Sequence, residues 1–191
     1  MIIGITGGTG CGKTTALSIL EQMGGLIIDC DRVYHDLLKT DKSLLASIES
    51  RFPGTVEKGS LNRKKLAAIV FSDEAALLDL NQITHKAVKE EVVRLLASAP
   101  QLVAIDAIGL FEGGLAELCH TTLAITAPEE VRVTRLMARD AITQEQALAR
   151  IRAQKSQDWF VARCDHHLHN EGSMEAFQEN CITLYKKIIL N

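Results

Sequence analysis

The chain has 191 residues, 47% of them hydrophobic and 24% charged, with a formal net charge of -3. That is enough apolar material for one compact α/β domain with a small inserted segment, and the slight negative charge gives no electrostatic footing for nucleic acid. Five cysteines, at 11, 30, 119, 164 and 181, are odd in number and lack C-x-x-C spacing, which argues against a disulfide framework or a thiolate zinc site and for a reducing, cytoplasmic setting.

The chain opens on an apolar run, Ile2 to Thr6, with no basic leader before it, and no later run is long enough to span a bilayer, so a soluble protein is expected. The run reads as a strand. It leads into GGTGCGKT, Gly7 to Thr14, and then into TTALSILEQM, which has the pattern of a helix stopped by Gly24 and Gly25. Strand, glycine-rich turn and helix in that order, with G-x-x-x-x-G-K-[ST] between Gly7 and Thr14, make a phosphate-binding loop. Missing side chains let the backbone curl until successive N–H groups line an anion-sized hollow at a helix start. Lys13 would reach the β and γ phosphates of a nucleoside triphosphate and Thr14 would offer its hydroxyl to Mg²⁺.

A second strand, Leu26 to Asp29, ends in IIDCD. If the chain is still extended there, alternation sets Asp29 and Asp31 on one side, facing the ligand crevice at the carboxyl ends of a parallel sheet. A kinase needs such an acid to hold and deprotonate an attacking hydroxyl. The alternative is an aspartate capping the helix RVYHDLL. From Asp31 to Leu96 the pattern is long and mainly helical, without repeats, and is expected to fold as helices over the carboxyl edge of the sheet, where an acceptor would bind.

The third strand, Leu102 to Asp106, places an acid at the end of a buried apolar run, as a Walker B carboxylate is placed. Asp106 is a candidate metal ligand, direct or through water, or else a turn former. DAIG also fits the D-x-x-G of GTP switches, but no N-K-x-D for reading guanine follows. After a fourth strand, Thr121 to Thr126, Pro128 marks a helix start, and Thr143 with Gln146 forms a capping-box pattern ahead of ALARIRAQ. Between them, VRVTRLMARD gathers Arg132, Arg135 and Arg139 on one helix. Arg135 and Arg139 are candidates for a lid that covers the phosphates; Arg132 is read as part of a solvated basic face.

The last strand is His166 to His169, where His167 and His169 share a face and His166 points the other way. No carboxylate at ligand spacing completes a metal set, so these are read as edge-strand or surface histidines. Trp159 and Phe160 are read as packing residues on a helix. Strands alternating with helices predict a parallel sheet covered on both faces.

Over nearly its whole length the sequence resembles dephospho-coenzyme A kinases, through TGGTGCGKTT, IIDCD, LFE at Leu110 to Glu112, RLMARD, Ala153-Gln154 and Asn170-Glu171-Gly172 in matching order. The resemblance implies a single P-loop NTPase-type domain over 1–191: a five-stranded parallel sheet flanked by helices, an acceptor-binding helical segment near 32–96 and a lid near 129–155. It implies that Gly8, Gly10, Cys11, Gly12, Lys13, Thr14 and Thr15 hold ATP together with Arg135 and Arg139. Thr6 and Asp31 would lie beside the reacting hydroxyl, with Asp31 as base, and His85 and Asp106 near the acceptor. The implied reaction moves the ATP γ-phosphate, with Mg²⁺, to the ribose 3′-hydroxyl of dephospho-coenzyme A, with no nucleic-acid or membrane partner. The sequence departs from the family at His85-Lys86, where the family has His-Pro, at DAIGLFE in place of D-x-P-L-L-F-E, and at Cys164-Asp165 in place of Ala-Asp. A kinase of another nucleoside or nucleotide, or a nucleotide-dependent switch, is the competing reading. Oligomeric state and ATP versus GTP preference stay open.

Overall fold

The computed structural model describes residues 1–190. In chain order the elements are β1 (Ile2–Thr6), α1 (Lys13–Gln22), β2 (Leu26–Asp29), α2 (Cys30–Thr40), α3 (Lys42–Arg51), β3 (Val56–Glu57), β4 (Ser60–Leu61), α4 (Arg63–Val70) and α5 (Glu74–Leu96). They continue with β5 (Val103–Asp106), a short 3₁₀ turn at Ala116–Leu118, β6 (Thr121–Thr126), α6 (Glu129–Asp140), α7 (Gln144–Arg152), α8 (Gln157–Val161), β7 (His166–His169) and α9 (Met174–Leu190). The chain divides into two compact units, the first made of Met1–Ile28, Ala99–Leu110 and everything from Leu115 onward, the second of Asp29–Ser98 with Phe111–Gly114.

The first unit holds a five-stranded parallel sheet in the order β2-β5-β1-β6-β7. β1 is its middle strand, in register with β5 (Ile2 opposite Val103, Ile5 opposite Asp106) and with β6 (Ile3 opposite Thr121, Thr6 opposite Ala124). A strand paired on both edges and covered on both faces must be apolar throughout, and Ile3 to Thr6 are all buried. α1 and α9 bring Leu20, Phe177 and Tyr185 against Ile3, Ile5, Leu123 and Ile125, all of them fully buried. The one polar atom that Tyr185 carries into this core is satisfied, since its hydroxyl donates to the carbonyl of Ala16 at 3.0 Å. Connections leave β1 toward both sides of the sheet, so the crevice outside its carboxyl end is where such sheets hold ligands.

The second unit packs α2 to α5 around Leu38, Leu44, Leu45, Ile48, Phe52, Leu66, Val70 and Ala76. Local signals start its helices: Asp41 accepts from the N–H groups of Ser43 and Leu44, Asn62 from Lys65, and Asp73 from Ala75 and Ala76. The stretch is not wholly helical. β3 and β4 form an antiparallel hairpin, Val56 opposite Leu61, turned by Lys58 and Gly59, whose φ angles are both positive at 51° and 77°. The missing proline after His85 also has a visible consequence, because α5 runs unbroken through His85-Lys86 for 23 residues.

Candidate active site

β1 delivers the chain directly into the phosphate loop. α1 starts at Lys13 with no side-chain cap, so the first N–H groups of the helix are left to an anion. Gly12 sits at its N-cap with φ 102°, and a Cβ there would come within 2.0 Å of Asn170 Nδ2. No other residue type fits both demands. Lys13 lies across its own loop, Nζ donating to the carbonyl of Gly7 at 2.9 Å. Thr14 is exposed, and the Thr15 hydroxyl donates to Met174 Sδ at 3.7 Å. The Cys11 side chain is buried, and burial pushes its thiol pKa up against the pull of Lys13, so it is a neutral filler beneath the loop.

The loop is held by side chains from far along the chain. The N–H of Thr9 donates to Gln154 Oε1 at 2.7 Å, and Arg132 Nε donates to the carbonyl of Thr9 at 2.8 Å. Arg135 donates to the carbonyl of Gly10 and to Asn170 Oδ1, both at 3.3 Å, and Asn170 Nδ2 donates to the carbonyl of Cys11 at 2.9 Å. Residues 9 to 11 are thus each gripped from α6, from the end of α7 or from the end of β7. These bonds occupy the carbonyls of Thr9, Gly10 and Cys11 and the N–H of Thr9, and the uncapped start of α1 offers its N–H groups to a phosphate.

Arg132 corrects the sequence reading. It is not part of a solvated face; it is 4% exposed and bonded to the loop. The available signal was its spacing: Arg132 lies one turn before the buried Leu136, at the edge of the apolar stripe that packs α6 on α7 through Val133, Leu136, Ala147 and Ile151. Arg139, by contrast, is exposed and paired with Asp140, Nε to Oδ1 at 2.8 Å, while Arg150 reaches the other oxygen of the same carboxylate at 2.6 Å. The hydrogen bond from Arg139 holds the Asp140 carboxyl below its usual range. Gln154 and Asn170 entered the sequence reading only as parts of family motifs, and the structure supplies their job.

Asp106 ends β5 opposite Ile5, and its charge contributes to the raised pKa of Cys11. Thr6 is fully buried, its hydroxyl donating to the carbonyl of Ile108 at 3.2 Å. In the second unit the extended-chain expectation for the acid pair fails, because the helix begins at Cys30. Asp29 is the N-cap of α2, accepting from the N–H of Arg32 at 3.0 Å, and Asp31 is an exposed residue of the first turn. The capping reading therefore describes Asp29, and only Asp31 is left with its carboxylate uncommitted to the helix start. His85 is half-buried on α5.

His167 and His169 do share a face of the edge strand β7. His167 Nε2 and His169 Nδ1 both bond Thr126 Oγ1, at 2.7 and 2.8 Å. Phe160 is buried as expected, while Trp159 is half-buried with the Arg163 guanidinium 4.2 Å above its ring.

Comparison with known proteins gives the family. Residues 1–176 match the family model described as dephospho-CoA kinase. The dephospho-CoA kinase of Carboxydothermus hydrogenoformans is 35% identical over 97% of this chain and 93% of its own length. Among solved structures, a Thermus thermophilus protein superposes with a TM-score of 0.81 at 34% identity, covering 98% of this chain and 97% of that one. The dephospho-CoA kinase from Campylobacter jejuni gives 0.70 at 25% identity over 98% and 96%. These relatives match the chain over nearly its whole length, and the chain belongs to the dephospho-CoA kinase family.

Proposed function

We propose that this chain transfers the γ-phosphate of ATP to the ribose 3′-hydroxyl of dephospho-coenzyme A, giving coenzyme A and ADP, the last step of coenzyme A biosynthesis. The observation that carries the reading is the clamped loop, which leads into Lys13 and the uncapped start of α1, groups that suit a triphosphate. The acceptor follows from family membership, with Asp31, Thr6, His85 and Asp106 as the residues beside it.

In this reading Lys13 draws the β and γ phosphates into the hollow, and Asp31 holds the attacking hydroxyl and takes its proton as the new oxygen–phosphorus bond forms. The bond from γ-phosphorus to the bridging oxygen breaks, and its electrons leave with ADP. Arg135 steadies the loop and Arg139 covers the equatorial oxygens. Thr14 and Asp106 offer the hydroxyl and carboxylate oxygens that suit Mg²⁺, a cation that takes few protein ligands and completes its shell with phosphate and water. When bound, it neutralises phosphate charge. Among the described residues no helix is long and apolar enough to cross a membrane, and the proposed setting is the cytoplasm.

The test is coupled ADP release with ATP, Mg²⁺ and either dephospho-coenzyme A, a panel of nucleosides or water alone. Strong stimulation by dephospho-coenzyme A is expected; stimulation by a nucleoside instead would move the chain to another acceptor. Lys13→Ala removes the point charge on the phosphates and is expected to lose both nucleotide affinity and turnover. A fully active Lys13→Ala variant would show that the phosphates bind elsewhere.

A further inference from the structure

Among the described residues Arg132 is the only charged side chain that is buried. Its Nε is matched by the Thr9 carbonyl, but Nη2 is buried with no hydrogen-bond partner. That atom sits against Gly8, where a Cβ would come within 2.5 Å of it. Burial lowers the guanidinium pKa, against smaller opposing pulls from Cys11 and from Glu129 one turn earlier on α6, and a guanidinium stays charged in a protein. A buried cation with an unmatched donor destabilises a fold. The neighbours on α6, Val133 and Leu136, are apolar, and a methionine would fill the same volume without that cost.

We infer that Arg132 is a positioning residue for the donor nucleotide, acting from behind the phosphate loop: it fixes the Thr9 carbonyl outward and sets a permanent positive charge beneath Gly8. Its unfavourable burial is offset only when a polyanion occupies the hollow in front of it. Nη2 is buried against Gly8, so the effect passes through the loop and through the field, and Arg132 acts without touching the reacting atoms. The inference rests on the reading of Gly7 to Thr14 as a triphosphate site. A charge fixed behind the loop is present before and during phosphoryl transfer alike, so it lowers the KM for ATP and leaves kcat nearly alone. An arginine that closes over the phosphates would do the reverse.

Arg132→Met and Arg132→Lys, made in the full chain, separate the possibilities. Binding of ADP and of ATP by calorimetry, Tm with and without saturating ADP, and steady-state kinetics are the readouts. For Arg132→Met the expected result is an ADP Kd and an ATP KM weakened about ten- to hundredfold, the usual range for a lost charged partner. The ligand-free Tm should be equal to or above wild type, and the KM for dephospho-coenzyme A and kcat should be close to it. Arg132→Lys keeps a cation in the same packing and is expected to fall between. A lower ligand-free Tm with unchanged ADP affinity would overturn the inference and make Arg132 a packing residue; a fall in kcat with unchanged KM would overturn it by giving Arg132 a role in the transition state. Should the methionine variant not fold, Arg132→Lys decides: ADP affinity below wild type with the ligand-free Tm retained supports the inference, and wild-type affinity overturns it. A wild-type chain that binds no nucleotide would instead bring down the loop reading, and the inference with it.

Discussion

The two units hold their candidate residues in different ways. In the sheet unit the phosphate loop is fixed by bonds that span 123 to 159 residues of sequence, from Arg132, Arg135, Gln154 and Asn170. In the helical unit the acid pair is fixed within a single turn, Asp29 capping the N–H of Arg32 three residues on. The loop can take its shape only when the whole sheet unit has folded, after which it cannot relax without breaking several bonds at once. The acids need no more than the start of α2, and the exposed Asp31 keeps the rotamer freedom that the loop has lost. For a phosphoryl transfer the division is reasonable: the charged donor needs a preorganised cradle, while the group that accepts the proton needs only to reach the hydroxyl.

The largest effect is expected where this contrast is tested most directly. Asp31→Asn keeps size and hydrogen-bonding capacity but cannot take a proton at neutral pH, and turnover should fall by about 10² to 10⁴ with ATP binding retained. Asp29→Asn should cost far less, because asparagine is an equally good cap, whereas Asp29→Ala should cost about 0.5–2 kcal/mol of stability. Single-turnover rates and thermal melts of the three variants distinguish chemistry from capping. If Asp29→Asn proved the inactive one, the roles would have to be exchanged.

Next come the arginines of α6, which sharpen the distinction between cradle and cover. Arg135 is bonded to the loop, so Arg135→Ala should raise the KM for ATP about tenfold, as the loss of a charge-assisted bond does, with a smaller change in kcat. Arg139 is exposed and held by Asp140, so it binds no part of the loop in this conformation. As a covering arginine it should act on kcat, with Arg139→Ala losing about 10³ or less while Arg135 remains, and Arg139→Lys rescuing poorly because a point charge cannot bridge two oxygens. An Arg139→Ala enzyme with normal kcat and only a raised ATP KM would remove the distinction.

The parts of this architecture that depend on local pattern were legible in the sequence. All five sheet strands follow from apolar runs and fall where expected, β5 starting at Val103, one residue later than read. The capping box at Thr143 and Gln146 is present with both of its bonds. The β3–β4 hairpin was missed because two-residue strands carry no alternation to read. Asp29 and Asp31 were read with strand periodicity across a boundary where helix periodicity had already begun, and one capping bond decides between the two. For Arg132 the only local signal was its place at the edge of the apolar stripe of α6, and the loop that it binds lies more than a hundred residues away. Specificity of the site is therefore written in long-range polar contacts, which sequence patterns reveal only as isolated polar residues inside apolar faces.

The smallest effect concerns the edge of the sheet unit nearest its long-range clamps. The backbone N–H of Asn170, whose side chain holds Cys11, donates to the carbonyl of Thr126 at 2.7 Å, and the hydroxyl of the same threonine bonds both His167 and His169. A hydroxyl has one proton, so in the neutral pair it donates to one ring and accepts from the other. Protonating both rings leaves that hydrogen without an acceptor and sets two cations 6.2 Å apart. Burial, and then the charge of His169, hold the His167 pKa below its usual value, while Glu171 lies 3.4 Å from the far nitrogen of His169. Because the folded form binds a proton less readily than the unfolded one, the contribution of His167 is complete above about pH 6.5 and is lost as pH falls through the folded pKa. Asp165, held low by the Thr122 hydroxyl, loses its contribution only in the acid range below the ordinary aspartate pKa near 4, so the two windows do not overlap. The pair is largely exposed, and solvent screening should keep the effect under about 1 kcal/mol, a Tm change of no more than about 2–4 °C for a chain of this size. His167→Gln keeps a bond to Thr126 without the charge, and its Tm should fall less than that of wild type between pH 7.5 and 5.5. Parallel melting curves for the two proteins across that range would remove His167 as the source of the acid sensitivity.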